Sequence, residues 1–92
     1  MLNSYSLESR ERKARKKAFN AGYQVKKGFT HWLSNNSVYT NMSGERFTGY
    51  EIWELSSDIA VLGVDSNFDY NATLEEVESY LKTVYKEHGL KY

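Results

Sequence analysis

Apolar positions recur along this chain with two different periods, and the switches between them mark out its elements. Residues 6–21 carry a sparse helical stripe in which Leu7, Ala14, Ala18 and Ala21 share one face and Phe19 widens it at its end. Ser6 stands at the N-cap position, Glu8 and Glu11 sit near the positive end of the helix dipole, and Gly22 follows at the left-handed position that ends helices. From Tyr23 the period drops to two. Tyr23, Val25 and Phe29 fall on one face, Gln24 and Lys26 on the other. Lys27 interrupts the inward row near Gly28, so the inner face ends there or a bulge intervenes, and His31-Trp32-Leu33 could extend the strand.

Ser34–Ser37 reads as a loop, Val38–Thr40 as a short strand and Asn41–Arg46 as a turn. Residues 47–55 form a strand with bulky side chains on both faces, Tyr50 and Ile52 on one, Trp53 and Leu55 on the other. Ser56-Ser57-Asp58 is a hairpin turn, and the unbroken apolar run Ile59–Val64 has the pattern of a central strand. Thr73-Leu74-Glu75-Glu76 is a capping box that opens a second helix. Its buried stripe is Leu74, Val77, Leu81 and Val84, with His88 as a further candidate, and Gly89 closes it. The order predicts an α+β fold of two layers: helix, three- or four-stranded antiparallel sheet, helix, with both helices on one sheet face. Ninety-two residues make one domain, 1–92, with residues 1–5 as a flexible lead-in.

Charge changes this picture more than composition does. The chain is formally neutral, yet residues 1–30 carry eight bases against two acids and residues 31–92 four bases against ten acids. The bases of the first part are Arg10, Arg12, Lys13, Arg15, Lys16, Lys17, Lys26 and Lys27. Six of them lie within eight positions of the first helix and spread round its circumference, which suits following a phosphate backbone more than reading a base. Two other readings stay open: a solvated face that aids solubility, or docking of the basic helix against the Glu-rich second helix. Arg12, Arg15, Lys16 and Lys17 are the first candidates for partner contacts, with Lys26 and Lys27 extending the patch. Trp32, Tyr39, Tyr50 and Trp53 either fill the sheet–helix core or include exposed rings that anchor a partner.

Candidate chemistry is sparse. The absence of cysteine removes disulfides, thiolate nucleophiles and Cys-based zinc sites. Asp65, Asn67 and Asp69 lack the rest of a calcium loop, and His31 and His88 fall on different elements. No phosphate-binding glycine loop or nucleophile elbow occurs. The expectation is a protein that is not an enzyme, with no cofactor and no metal. With no apolar run near the about 18–20 residues of a membrane span and no secretory leader, it is expected in the cytoplasm, away from membranes.

Four segments carry a resemblance. Arg12–Lys16, Ala21–Lys27, Gly49–Ile52 and Leu74–Leu81 resemble small accessory proteins of phages and other mobile elements. In those, a basic helix runs into a Gly-aromatic-x-aliphatic-Lys strand start, and a Leu-x-x-Val-Glu-x-Tyr-Leu helix closes the domain. The resemblance covers about half the chain. It implies a bacterial host cell and a partner that is a host nucleic-acid machine or the nucleic acid itself; inhibitors of CRISPR effectors are one such class. The element order is also similar to a double-stranded-RNA-binding domain, but Glu75 and Glu76 stand where that family places lysines. The expected function is therefore an anti-CRISPR-like inhibitor of a host nucleoprotein, or else a regulator that binds DNA or RNA directly.

Overall fold

A computed structural model describes residues 6–92; the expected lead-in, residues 1–5, lies outside the described residues. Helix α1 (Leu7–Asn20) begins where the Ser6 hydroxyl accepts a 3.1 Å hydrogen bond from the Ser9 amide, satisfying one of the donors a helix start leaves unpaired. It stops at Ala21, after which Gly22 turns the chain with a φ of 89°. Strand β1 (Tyr23–Phe29) then pairs antiparallel with β3 (Thr48–Glu54), in unbroken register from Tyr23 opposite Glu54 to Phe29 opposite Thr48. Lys27 does not end the inward row, and β1 has no bulge, because a buried carboxylate meets its ammonium (below).

Strand β4 (Ile59–Leu62) pairs with the other side of β3, giving the sheet order β1-β3-β4. The apolar run from Ile59 is thus an edge strand, with Ile59 59% exposed, where its pattern predicted a central one. The centre goes to β3, whose Gly49, Tyr50, Glu51 and Ile52 are all buried. A bulge does occur, in β4: Ile52 faces Leu62 while Trp53 faces Ala60, so Val61 is the extra residue.

His31-Trp32 does not extend β1. It forms a short strand, β2 (His31–Trp32), paired with β5 (Phe68–Asp69) in a separate two-stranded sheet. The break lies at Thr30, whose amide donates to Phe47 O and whose hydroxyl donates to Tyr70 O at 2.6 Å. Val38–Thr40 contributes only isolated bridges, to His31 and Arg46.

Helix α2 (Leu74–Glu87) carries the expected capping box: Thr73 Oγ1 accepts from the Glu76 amide and Glu76 Oε1 from the Thr73 amide. Leu74, Val77, Leu81 and Val84 are buried as the stripe requires, and Tyr85 joins them. His88 is the exposed C-cap and not part of the stripe. Both helices lie on one sheet face. The core between the layers comprises Ala14, Ala18, Val25, Tyr50, Ile52, Ala72, Leu74, Val77 and Leu81. Each fully buried large aliphatic side chain there contributes roughly 1.5–3 kcal/mol. Of the predicted α1 stripe only Ala14 and Ala18 are fully covered; Ala21 is half-buried, Leu7 is exposed and Phe19 is 70% exposed.

The opposite sheet face is covered at one end by Tyr70, whose ring lies over Gly28 and whose carbonyl lies over Gly49. A Cβ on Gly49 would fall 1.7 Å from that carbonyl oxygen, so only glycine fits. Glu51, 2% exposed, is kept there as an acceptor: it takes hydrogen bonds from Trp53 Nε1 at 2.8 Å and from the Tyr70 amide at 3.0 Å.

Candidate interaction surface

The eight amino-terminal cations go to five different places. Arg10 points along the α1–α2 seam. Its guanidinium donates to both carboxylate oxygens of Glu78, at 2.7 and 3.2 Å, and to Glu75 at 3.2 Å. Bonding to Glu78, then to Glu75, raises the Arg10 pKa above its already high ordinary value. Glu75 is held below the usual carboxylate range by its own backbone amide and by Arg10. Docking of the basic helix on the Glu-rich helix therefore takes place, but among the described residues Arg10 is the one base that forms ion pairs across it.

Lys27 rises from the inward row of β1 beneath α1, where its Nζ lies 2.8 Å from Glu11 Oε2. The Tyr50 hydroxyl donates to the same oxygen. Glu11 is only 6% exposed, yet Lys27 first and Tyr50 second hold its pKa below normal, outweighing burial. Burial, reinforced by the Glu11 charge, pushes the Tyr50 phenol up to about 12. Arg10 and Lys27 are thus spent on the fold.

Lys13 and Lys17 lie on the flank of α1 that faces the chain's last residues. Lys13 Nζ sits 4.9 Å from the Tyr92 ring centre and Lys17 Nζ 5.0 Å from that of Tyr85. The Tyr85 hydroxyl donates to Lys17 O at 2.7 Å, which fixes this flank against α2. Lys26 points to the other sheet face, 4.4 Å from the Trp53 ring centre, so it does not extend the α1 patch. These ring contacts leave the ammonium charges uncompensated.

Arg12, Arg15 and Lys16 remain. All three are exposed, Arg12 and Lys16 on the outward side of α1 and Arg15 on its flank toward β1; no carboxylate among the described residues forms a salt bridge with them, although the Arg15 charge acts at longer range on Glu11. With Phe19 they occupy positions i, i+3, i+4 and i+7 and so form one continuous ridge. An exposed phenylalanine among uncompensated bases is the local composition of a contact surface, with an apolar anchor inside a charged rim.

The aromatic candidates divide. Tyr50 is core. Trp53 is half-buried under Lys26. Trp32 and Tyr39 belong to a cluster around β2 and β5, with Trp32–Phe68 centroids at 4.3 Å and Tyr39–Phe47 at 5.5 Å. A shallow cleft of about 240 Å³ beside it is walled by Tyr39, Phe47 and Tyr70, below the about 300–1,000 Å³ of typical small-molecule sites. His31 is held between Phe29 O and Asp69. Asp65 is occupied by the Asn67 and Phe68 amides and the Asn71 side chain, which lower its pKa. Among the described residues no three His, Asp or Glu side chains converge to hold a metal, and no helix is long and apolar enough to cross a membrane.

Sequence reasoning missed Glu11 and Phe19. Glu11 lies at i−3 from Ala14 and i−7 from Ala18, within the buried stripe, which marks it for a buried partner. Phe19 is five residues beyond Ala14 and so lies off that stripe. Compared with known proteins, the chain matches no family model, no curated protein and no solved structure.

Proposed function

We propose that this is a non-enzymatic binding protein that docks on an acidic face of a nucleic-acid machine through the outer ridge of α1. The observation that carries the reading is the exposed Arg12–Arg15–Lys16 ridge around Phe19, which makes no salt bridge among the described residues. An apolar ring inside a cationic rim favours a protein surface, where the ring can be desolvated while carboxylates pair with the rim. Phosphate mimicry by the acidic part of the chain has less support, because Glu51, Asp65, Glu75 and Glu78 are engaged internally. The four motif segments suggest the setting: an accessory protein of phage or mobile-element type in the bacterial cytoplasm, acting as an inhibitor of a host nucleoprotein such as a CRISPR effector.

Direct binding of DNA or RNA is the second reading. It is favoured by Lys13 and Lys17, which continue the positive charge round α1 toward Lys82. A gel shift with random duplex and single strands at low and moderate salt separates the two. A salt-sensitive shift lost on reversing Arg12, Arg15 and Lys16 to Glu supports nucleic acid. No shift, together with a nuclease-resistant complex from host lysate that contains a nucleic-acid enzyme, supports the protein partner.

A further inference from the structure

Strand β1 is a seven-residue edge, and the hydrogen bonds at its ends determine which of its groups are free. The Leu55 amide donates to Gly22 O and the Thr30 amide to Phe47 O. Along an antiparallel ladder the bonded positions alternate, so Gln24, Lys26 and Gly28 turn their backbone groups toward β3. The N–H and C=O of Tyr23, Val25 and Lys27 face outward, and no backbone group among the described residues meets them. The next outward carbonyl, that of Phe29, is taken by His31 Nδ1.

This free edge runs beside α1. Between them lies a cleft of about 360 Å³ lined by Arg15, Phe19, Tyr23, Gln24 and Val25. The opposite sheet edge is different: β4 has four residues and carries a bulge, two devices that discourage pairing.

We infer that β1 accepts an extended acidic segment of a partner protein as a fourth strand, seated in the cleft between β1 and α1. Three observations select this occupant. An added strand satisfies the outward backbone groups of Tyr23, Val25 and Lys27. Its side chains alternate between the two faces of the sheet, and each face offers a cation: Arg15 of α1 beside the edge on the helix face, and on the other Lys26, which springs from the edge strand and rests its ammonium over Trp53 of β3. Phe19, at the mouth of the cleft, gains cover from an apolar residue of that strand. A second copy of this chain fits poorly, because two-fold pairing through β1 would gather the Arg15 and Lys26 charges of both copies along one seam with no carboxylate supplied. The inference rests on the proposed function for the acidic character of the partner; the strand pairing stands on the geometry of β1.

The test uses the 15N-labelled full chain and a capped octapeptide repeating Glu-Glu-Val-Val, which puts both a carboxylate and a valine on each face of the added strand. Two versions N-methylated at alternate sets of residues and a lysine–valine peptide serve as comparisons. At saturation, amide exchange at Tyr23, Val25 and Lys27 is expected to slow at least tenfold. One N-methylated version is expected to bind at least tenfold more weakly, Arg15→Glu to weaken binding at least fivefold, and the lysine peptide not to bind. Four results overturn the inference: no binding at millimolar peptide; binding with unchanged exchange at those three amides; equal binding of both N-methylated versions; or a peptide-free dimer in which those amides are already protected. The double variant Arg12→Glu/Lys16→Glu keeps the peptide response while testing the α1 ridge, so either proposal can fail alone.

Discussion

Replacing Lys27 with Met strands a buried carboxylate. The Glu11 side chain is 7% exposed and that of Lys27 37%, with 2.8 Å between the charged atoms. Removing one partner of a fully buried pair costs about 3–5 kcal/mol, because the other charge is left uncompensated. Here the ammonium still reaches solvent and the Tyr50 hydroxyl remains on Glu11, so the loss lies nearer that of one charge-assisted hydrogen bond, about 2 kcal/mol. For a domain of this size that lowers Tm by about 8–16 °C. Urea unfolding followed by circular dichroism and tryptophan fluorescence measures it. The pH dependence supplies an internal check. The folded-state pKa of Glu11 lies below its unfolded value, so the contribution of the pair is complete above about pH 4.3 and is lost as pH falls through the folded value. The gap between parent and variant must therefore narrow in acid. Glu11→Gln combined with Lys27→Met removes both charges and is expected to recover at least half the loss. A gap under about 0.5 kcal/mol at pH 7, within ordinary surface-substitution scatter, or a gap that does not narrow toward pH 3, would refute the reasoning.

Two further changes test the packing around this centre. The Tyr50 pKa is raised to about 12, so the neutral phenol is favoured by folding; its contribution holds below the unfolded value near 10 and is lost as pH rises through 12. Tyr50→Phe is therefore expected to flatten the alkaline limb of the stability curve in unfolding titrations between pH 9 and 12, leaving the part due to Tyr80, which is also raised to about 12, and to Tyr92, which burial also raises. Gly49→Ala must push away the Tyr70 backbone and, with it, the hydrogen bonds to Thr30 and Glu51, at a cost of about 2–4 kcal/mol in urea unfolding. Gly28→Ala, whose Cβ meets only the Tyr70 ring at 3.0 Å, is expected to cost clearly less.

What the amino-acid pattern revealed depended on how local the cause was. Helix α2 was legible almost to the residue because its capping box and stripe lie within one segment. The alternation of β1, and the two-faced bulk that marks β3 as a strand, were legible for the same reason. The apolar run from Ile59 misled, because periodicity reports how apolar a segment is and not which neighbour covers it; β3 took the centre and left Ile59 and Val61 exposed. Two-residue strands such as β2 carry no period, so the pairing of His31-Trp32 with Phe68-Asp69 left no local trace. The cationic ridge was only partly legible. Charge density marked the helix, but the selection among its bases is tertiary. Glu78 removes Arg10 from across 68 positions, and Glu11 removes Lys27 only once α1 lies over β1.

The central claim is that the outward cations of α1 are available to a partner. It is tested most directly by comparing, in nuclease-treated bacterial lysate, the proteins retained by the parent chain, by Arg12→Glu/Arg15→Glu/Lys16→Glu, and by the control Lys86→Glu/Lys91→Glu. The account predicts a nucleic-acid enzyme retained by parent and control and lost from the triple variant. The same enzyme retained equally by all three would contradict it.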